Sequence, residues 1–361
     1  MGQFIVRRFL WMLLVLFVVS FITFFLMHQV PGGPFDREKA LPPEIKANLE
    51  QRYHLDWPLW RQYADYVFNV LVPRITTQKP TGSLLDQYFI ELKIGSVYFR
   101  WMNFGPSFAS RSRTVNDIFR DQLPISFQLG VMALILAMVV GIPLGIISAL
   151  RQNTIVDYVG MSLAIFGVSV PVIVMGPILI SIFAVSFSQS EHEFIRSLAL
   201  PATGWGAKPP YVLGFLPTEL SWNYFRYALM PSVALGLGSS ALLARLTRAS
   251  LLQVIREDYI RTARAKGLAE RVVITRHALK NSLIPVATVL GPMFAALVTG
   301  TFVTELIFGI PGLGRYFITS ITNRDYPVIM GTILLYAMVL VLANAIVDIM
   351  YAFLDPRIRI T

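Results

Sequence analysis

Few side chains in this sequence have the type and spacing that catalysis or metal binding requires. The histidines are few and far apart: His28, His54, His192 and His277. None belongs to an H-E-x-x-H pattern or to another spacing that gathers metal ligands. Glu191-His192-Glu193 is a dense polar group, but a solvated outer loop explains it better than a ligand set does. The absence of cysteine excludes disulfides, thiolate metal sites and cysteine nucleophiles, so we predict neither a metal site nor catalytic residues.

The sequence also lacks a segment that could hold the phosphates of ATP. No G-x-x-x-x-G-K-[ST] motif occurs, and Lys266-Gly267 has the glycine and lysine of that motif in the wrong order. Ser169 and Ser181 lie in apolar runs with no histidine nearby in sequence, so we interpret them as interhelical hydrogen-bond formers. The chain is therefore predicted not to be an enzyme, and no cofactor is expected in it.

The most strongly patterned polar stretch reads DYIRTARAKGLAERVVITRHALKNSLIP and begins at Asp258. Asp258 is a suitable N-cap, and Tyr259–Lys266 has the composition of a helix of about two turns. Gly267 suits the left-handed residue that closes a helix. A second helix is predicted from Ala269 to Lys280, and Pro285 is tolerated in the first turn of the helix that follows.

The first of these short helices has the features of a docking element for another protein. Thr262, Ala263 and Ala265 are small, so a partner's backbone could approach closely. Arg261, Arg264 and Lys266 supply charge around them. The candidate docking residues form one continuous run: Asp258, Tyr259, Ile260, Arg261, Thr262, Ala263, Arg264, Ala265, Lys266, Gly267 and Leu268.

The elements around this stretch are apolar runs long enough to cross a bilayer, which takes about 20 residues. Hydrophobic residues make up 55% of the 361 positions and charged residues only 14%, where a soluble domain has about a quarter charged. The sequence predicts an all-α integral membrane protein, one transmembrane domain across 1–361, with about six transmembrane helices. They are expected near Phe9–Met27, Leu123–Leu150, Tyr158–Phe187, Tyr227–Ile255, Leu283–Phe308 and Pro327–Phe353.

A long polar insertion, 31–122, follows the first predicted span. Within it, Pro43–Asn69 is rich in helix formers and aromatic residues. It is either an amphipathic cap on the membrane surface, which we favour because interfacial aromatics need no partner, or a docking surface for a substrate-delivering protein.

The distribution of basic residues orients the chain in the membrane. The net charge of +10 could suggest nucleic acid, but the basic residues concentrate beside apolar spans. From Arg245 to Asn281 there are nine basic and three acidic side chains, which predicts a cytoplasmic location for 256–281 by the positive-inside rule. Six spans then place both termini in the cytoplasm and the insertion, 188–226 and 309–326 outside.

Ionisable and helix-breaking residues inside the spans allow several interpretations. Glu305 is expected near the outer end of the fifth span, either exposed at the interface, bonded to the following turn, or acting as a gate or substrate contact. Asp348 is expected to pair with Arg245 or Arg248. Glycines and prolines such as Pro171 are interpreted as helix-packing positions rather than hinges.

The stretch from Asp258 resembles the cytoplasmic EAA loop of binding-protein-dependent ABC importer permeases. Arg261-Thr262-Ala263 replaces the general Glu-Ala-Ala, and Pro285 lies further from Gly267 than usual; both departures resemble the oligopeptide/dipeptide branch. Further similar segments are RRFLWMLLVLF, VPGGPFD, LPISFQLG, GIPLGIISAL, FGIPGLGRYF and FLDPRIR.

This resemblance implies a type I ABC importer permease fold in the cell's inner membrane. It implies that a second, homologous permease subunit pairs with this one and that 256–281 is a coupling loop for cytoplasmic ATPase subunits, which bind ATP and Mg. An extracytoplasmic solute-binding protein would deliver peptide, and no nucleic acid is involved. Oligosaccharides, nickel chelates and glutathione remain alternative substrates. A stand-alone channel or secondary transporter is a further alternative, although such proteins often carry charges near the midplane.

Overall fold

The computed structural model of the chain describes residues 2–36, 42–79, 83–110, 112–299 and 301–354. The helices, including two π-helical segments, are α1 (Gly2–Gln29), α2 (Pro43–Arg52), α3 (Leu59–Leu71), α4 (Val115–Leu150), α5 (Ile155–Ser169), α6 (Val172–Leu179), π1 (Ile180–Ser186), α7 (Glu193–Ser197), α8 (Trp222–Val254), α9 (Asp258–Ala265), α10 (Glu270–Val272), π2 (Val273–Ala278), α11 (Leu279–Ser282), α12 (Ile284–Thr299), α13 (Phe302–Ile307), α14 (Leu313–Asn323) and α15 (Tyr326–Leu354). The strands are β1 (Arg74–Thr76), β2 (Ile90–Ile94) and β3 (Val97–Trp101).

The predicted membrane architecture is confirmed. Five helical stretches are long and apolar enough to cross a membrane: Val6–Gln29, Val115–Leu150, Trp222–Val254, Ile284–Ile307 and Tyr326–Val347. A sixth apolar segment consists of Ile155–Ser169 and Val172–Ser186, which meet at an angle of 103°. The chain is thus a multi-pass membrane protein with five spans, or six if the bent pair forms one.

The bend occurs at Pro171, where the sequence led us to expect only helix packing. Val170 has ψ 112° and leaves the helical region, as residues before proline tend to do. Pro171 also has no N–H with which to continue the hydrogen-bond ladder of α5. The expectation that prolines in this span serve only packing is therefore wrong at this position.

The first helix after the insertion begins earlier than predicted. We expected the insertion to extend to 122, but α4 begins at Val115. The Thr114 hydroxyl accepts a hydrogen bond from the Asp117 N–H at 3.1 Å, and the Asp117 carboxylate accepts one from the Thr114 N–H at 2.9 Å. This reciprocal pair is a capping box that fixes the start of α4.

A small antiparallel sheet in the insertion was not predicted. Its strand order is β1-β3-β2, with Ile90 opposite Trp101 and Ile94 opposite Val97. Gly95 has φ +62°, so the two-residue connection between β2 and β3 contains a left-handed residue, as tight hairpins require. The helical fold class is confirmed, and this sheet is an addition to it.

By its contacts the chain divides into two compact units. Unit 1 comprises 1–9, 125–311 and 339–361; unit 2 comprises 10–124 and 312–338. The prediction of a single transmembrane domain across 1–361 stays a prediction.

Small residues bring α4 and α8 into backbone contact in unit 1. A Cβ at Gly141 would lie 2.4 Å from the Ser240 carbonyl oxygen, and one at Gly145 would lie 2.5 Å from that of Ala244. Such distances are shorter than van der Waals contact, so these positions admit only glycine. This is the small-residue packing by which helices associate in a membrane, where water does not drive burial.

Unit 2 is held together by buried polar and aromatic contacts. Tyr63 of α3 packs among phenylalanines of α1 and shares a 2.9 Å hydrogen bond with the Ser20 hydroxyl. Asp325, before α15, accepts hydrogen bonds from the Ser107 hydroxyl at 2.5 Å and from the Phe108 and Ala109 N–H groups at 3.0 and 3.1 Å. Because Asp325 is buried, these donors compensate the desolvation of its carboxylate and fix the end of the insertion.

Candidate functional site

The predicted docking helix is present as α9, but its N-cap lies one residue earlier than predicted. Glu257, with extended backbone, is the N-cap, and Asp258 is the first helical residue. The assignment of Asp258 as N-cap is therefore wrong. Its side chain is 96% exposed, with Arg261 Nη1 at 3.4 Å. An acid in the first turn still interacts favourably with the helix dipole.

The end of α9 follows the prediction. The Lys266 N–H donates to the Thr262 carbonyl at 3.1 Å and the Gly267 N–H to the Arg264 carbonyl at 2.9 Å. Gly267 has φ +77°, the left-handed region that favours glycine. A Cβ built there would meet nothing within 4 Å, so the glycine serves the backbone conformation and not a close contact.

The second half of the loop is helical as predicted, but not uniformly α-helical. The helical run α10–π2–α11 extends from Glu270 to Ser282, with π-helical geometry over Val273–Ala278. Pro285 is the second residue of α12, where its missing N–H costs no hydrogen bond. The loop thus forms a helix, a glycine turn and a helix leading into a span.

The inner face of α9 packs on this chain itself. Ile260 is fully buried and Ala263 is 6% exposed. They form one apolar cluster, here called the loop cluster: Ala149, Leu251, Ile260, Ala263, Val273, Ile274 and Ala278. The prediction that the small side chain of Ala263 faces a partner is wrong, because residues three apart on a helix share a face and Ile260 directs that face inward.

The outer face of α9 is available to another protein. Its exposed residues are Asp258, Tyr259, Arg261, Thr262, Arg264 and Ala265, and the C-cap residue Lys266 is exposed too. Gly267 and Leu268 are exposed as well. Of the eleven candidate docking residues, only Ile260 and Ala263 are buried.

Two polar contacts hold α9 against the returning helix. Arg264 donates from Nε and Nη2 to the two Glu270 carboxylate oxygens at 3.1 and 2.7 Å, across the Gly267 turn. Asn281 Nδ2 donates to the Tyr259 hydroxyl at 2.8 Å. The Arg264 hydrogen bonds lower the pKa of Glu270 below its usual value, and the contact raises that of Arg264. These contacts therefore fix α9 relative to the returning helix while its outer face stays exposed.

An ion pair that the sequence analysis missed lies in the same unit. Arg248 of α8 donates from Nε and Nη2 to the two Asp157 oxygens, both at 2.7 Å, and the Asn153 N–H adds a bond of 3.0 Å. The carboxylate of Asp157 is 2% exposed. The predicted span Tyr158–Phe187 begins just after Asp157, and Asp348, whose side chain lies outside the described residues, is the expected partner of Arg245 or Arg248. Asp157 was detectable as the one acid beside the apolar run of α5.

Glu305 is buried and not interfacial. Its side chain is inaccessible to solvent, and Oε1 accepts hydrogen bonds from the Ser126 and Thr301 hydroxyls, both at 2.6 Å. Its backbone carbonyl accepts from the Ile310 N–H at 2.8 Å, so the backbone of Glu305 bonds the following turn. The alternative of interfacial exposure is wrong. The carboxyl joins α4 to α13, and a role as gate or substrate contact stays a prediction.

A second buried polar residue of α4 holds the segment between π1 and α8. Gln128 Nε2 donates to the Phe215 carbonyl at 2.8 Å, and Gln128 Oε1 accepts from the Trp205 indole N–H at 3.1 Å. No sequence pattern indicates this contact, because Trp205 and Phe215 lie 77 and 87 residues from Gln128 along the chain. Among the described residues no group of three or more His, Cys, Asp or Glu side chains could hold a metal ion.

Known proteins resemble this chain over its whole length. Residues 141–360 match the family described as "Binding-protein-dependent transport system inner membrane component", and residues 1–130 match the N-terminal component of the same transport system family. The dipeptide transport system permease protein DppB of Bacillus subtilis is 38% identical over 360 residues, covering 100% of this chain and 99% of that protein. The oligopeptide transport system permease protein OppB of Salmonella typhimurium is 38% identical over 359 residues, covering 99% and 100%.

Among solved structures, the MetNI methionine ABC transporter in inward-facing conformations is similar to 65% of this chain and 94% of the matched chain. Its TM-score is 0.46 at 15% identity. The family matches and the full-length relatives carry the assignment without it. The chain belongs to the binding-protein-dependent transport system inner membrane component family.

Proposed function

We propose that this chain is a membrane-spanning permease subunit of an ATP-driven importer that carries dipeptides or oligopeptides. The observation that carries the substrate class is the full-length similarity to permeases named for dipeptide and oligopeptide transport. Oligosaccharide, nickel chelate and glutathione are the competing substrates.

The proposed partners follow from what this chain lacks and what it exposes. It has no phosphate-binding motif, so ATP and Mg would be held by separate ATPase subunits. The outer face of α9 would dock on such a subunit, because it is exposed and basic while its inner face is braced by the loop cluster. A second, homologous permease and a solute-binding protein complete the proposed assembly.

The loop cluster offers a route by which movement of the ATPase reaches the spans. Ala149 lies in the last turn of α4 and Leu251 in the last turn of α8, and both belong to the loop cluster with residues of α9 and π2. A displacement of α9 would therefore move the ends of two long helices together. In the proposed cycle, ATP stabilises one arrangement of the ATPase pair and draws the permease helices toward one of two states.

The proposed orientation places 256–281 and both termini in the cytoplasm and the insertion outside. The basic excess of the loop and of the other short segments supports it. The orientation requires the bent pair, Ile155–Ser169 with Val172–Ser186, to cross the membrane once. A re-entrant pair would put 256–281 on the opposite side from Asn153.

The experiment is reconstitution of the complete importer in liposomes with its binding protein. We expect uptake of labelled dipeptide or tetrapeptide that needs ATP and is competed by unlabelled peptide. A nickel chelate, glutathione and a maltose-type oligosaccharide serve as rival substrates. Uptake of one of these rivals with no peptide uptake would contradict the proposed substrate class, and uptake without ATPase subunits would favour a secondary transporter.

A further inference from the structure

A cavity of about 180 Å³ lies within unit 2, between α3 and the ends of the neighbouring helices. Its walls include the aromatic side chains of Phe24, Tyr53, Trp57, Tyr66, Phe108 and Tyr326. An apolar cavity of about 150 Å³ is large enough to bind benzene. The cavity therefore has room for one apolar side chain, and its open side leaves the rest of a ligand at the surface.

The walls are held in place without a ligand. The rings of His54 and Trp57 stack at 4.1 Å, and the Arg61 guanidinium lies 3.9 Å above the Trp57 ring. Gln62 Nε2 donates to the carbonyls of Leu55 and Trp57 at 3.1 and 2.8 Å, which fixes the turn between α2 and α3. Because the wall is preformed, the entropic cost of binding a ligand there is lower.

The polar groups of the cavity differ in charge and in what they can bond. Arg52 and Asp65 both line it and carry opposite charges. His28 Nδ1 donates to the Phe24 carbonyl at 2.7 Å, which leaves Nε2 as an acceptor in the neutral ring. The Tyr66 hydroxyl is buried and has no hydrogen-bond partner among the described residues. That hydroxyl has almost no accessible surface, so the charged groups that a ligand in the cavity can reach are Arg52 and Asp65.

We propose that this cavity binds a short zwitterionic peptide with an apolar side chain. The side chain lies among the aromatic rings, the ammonium group pairs with Asp65, and the carboxylate pairs with Arg52. The site would receive peptide on the external side. This inference rests on the proposed function, because it takes the insertion to be external and the substrates to be peptides.

The test is equilibrium binding of radiolabelled leucyl-leucine to the assembled importer in nanodiscs, without its binding protein. We expect saturable binding that Asp65→Asn and Arg52→Gln each weaken by about tenfold, the loss of one charge-assisted hydrogen bond. Asp56→Asn is the matched control, since it makes the same change at an exposed position of the same segment that does not line the cavity. N-acetyl-leucyl-leucinamide, which lacks both charges, should compete about a hundredfold less well than leucyl-leucine, because it loses both charge-assisted bonds.

Three results would overturn the inference. They are absence of saturable binding, equal binding by the Asp65→Asn and Asp56→Asn proteins, and equal competition by the capped and free peptides, which would mark an apolar site only. Thermal melting of each variant checks that it is folded. Peptide uptake by the complete importer separates the two proposals. If the importer takes up peptide but binding does not depend on Asp65, only this inference is removed. If there is no peptide uptake, the proposed function is removed.

Discussion

Arg248 and Asp157 join α8 to the start of α5 through two parallel hydrogen bonds of 2.7 Å. The planar guanidinium matches the carboxylate as a fork, and lysine cannot reproduce that geometry. The Asn153 N–H bonds the same carboxylate, and Asn153 has φ +61°. The pair therefore fixes the short connection 151–154 as well as the helix packing.

Loss of the Asp157 charge should destabilise this unit. Asp157→Asn leaves the Arg248 guanidinium partly buried without its anion, and breaking such a pair costs about 3 kcal/mol. We expect a lower thermal unfolding temperature in detergent and faster protease cleavage at 151–154. Arg248→Lys, which keeps the charge but not the fork, should give a smaller loss. Unfolding of Asp157→Asn at the wild-type temperature would contradict a stabilising role of the pair.

The conformation of Gly267 should matter more than its size. A residue with a Cβ in the left-handed region costs about 1–2 kcal/mol, and asparagine tolerates that region best. Gly267→Val should therefore reduce peptide-stimulated ATP hydrolysis by the reconstituted complex, while Gly267→Asn should stay near wild type. The space around a Cβ at this position is open, so side-chain size should not matter. Equal loss in both variants would contradict this and show that size rather than backbone conformation limits the position.

Acidic substitutions on the two faces of α9 should have different effects. Ala263→Glu places a carboxylate in the loop cluster, where an unpaired buried charge costs several kcal/mol, so it should lower thermal stability. Ala265→Glu lies on the exposed face and should leave stability unchanged but weaken co-purification of the ATPase subunits. If Ala265→Glu retains full ATPase binding and stimulated hydrolysis, the outer face of α9 is not the docking surface.

The Arg264–Glu270 pair should stabilise the loop at neutral pH and lose its effect in acid. The folded state lowers the pKa of Glu270, so the contribution is fully present above the ordinary glutamate pKa and is lost as pH falls through the lowered value. An exposed, solvent-screened pair contributes no more than about 1 kcal/mol. We expect Glu270→Gln to speed amide exchange in 264–270 at pH 7, with the difference from wild type shrinking as pH falls below about 4 and disappearing only below the lowered pKa of Glu270. A difference that persists unchanged in acid would contradict this assignment.

Reporter fusions test the orientation. A reporter at Gln152 should be cytoplasmic and one inserted at Gln78 external, because basic residues concentrate in the short loops. A third fusion in the segment between π1 and α8, at Glu219, determines whether the bent pair crosses. An external signal there supports one crossing, and a cytoplasmic signal would make the pair re-entrant and reverse the expected side of α9.

Much of this architecture was readable from the sequence because membranes impose strong local rules. Runs of about 20 apolar residues identified the spans without any knowledge of their neighbours. Gly267 and Pro285 each restrict the backbone of their own segment, so the helix, turn and helix of the loop followed from residue types. The basic bias of that loop, likewise, is a property of composition. Such features depend on contacts within a few residues or with the lipid.

Tertiary structure decided which face of each element meets another part of the chain. Positions 263 and 265 are both alanine, yet Ala263 is buried and Ala265 is exposed. The reason is that Ala263 lies on the face of α9 that packs with Ile260 against π2. Asp157 pairs with Arg248 across 91 positions, and Glu305 accepts from Ser126 across 179. No local pattern encodes such pairings, since each depends on how α4, α5, α8 and α13 pack together.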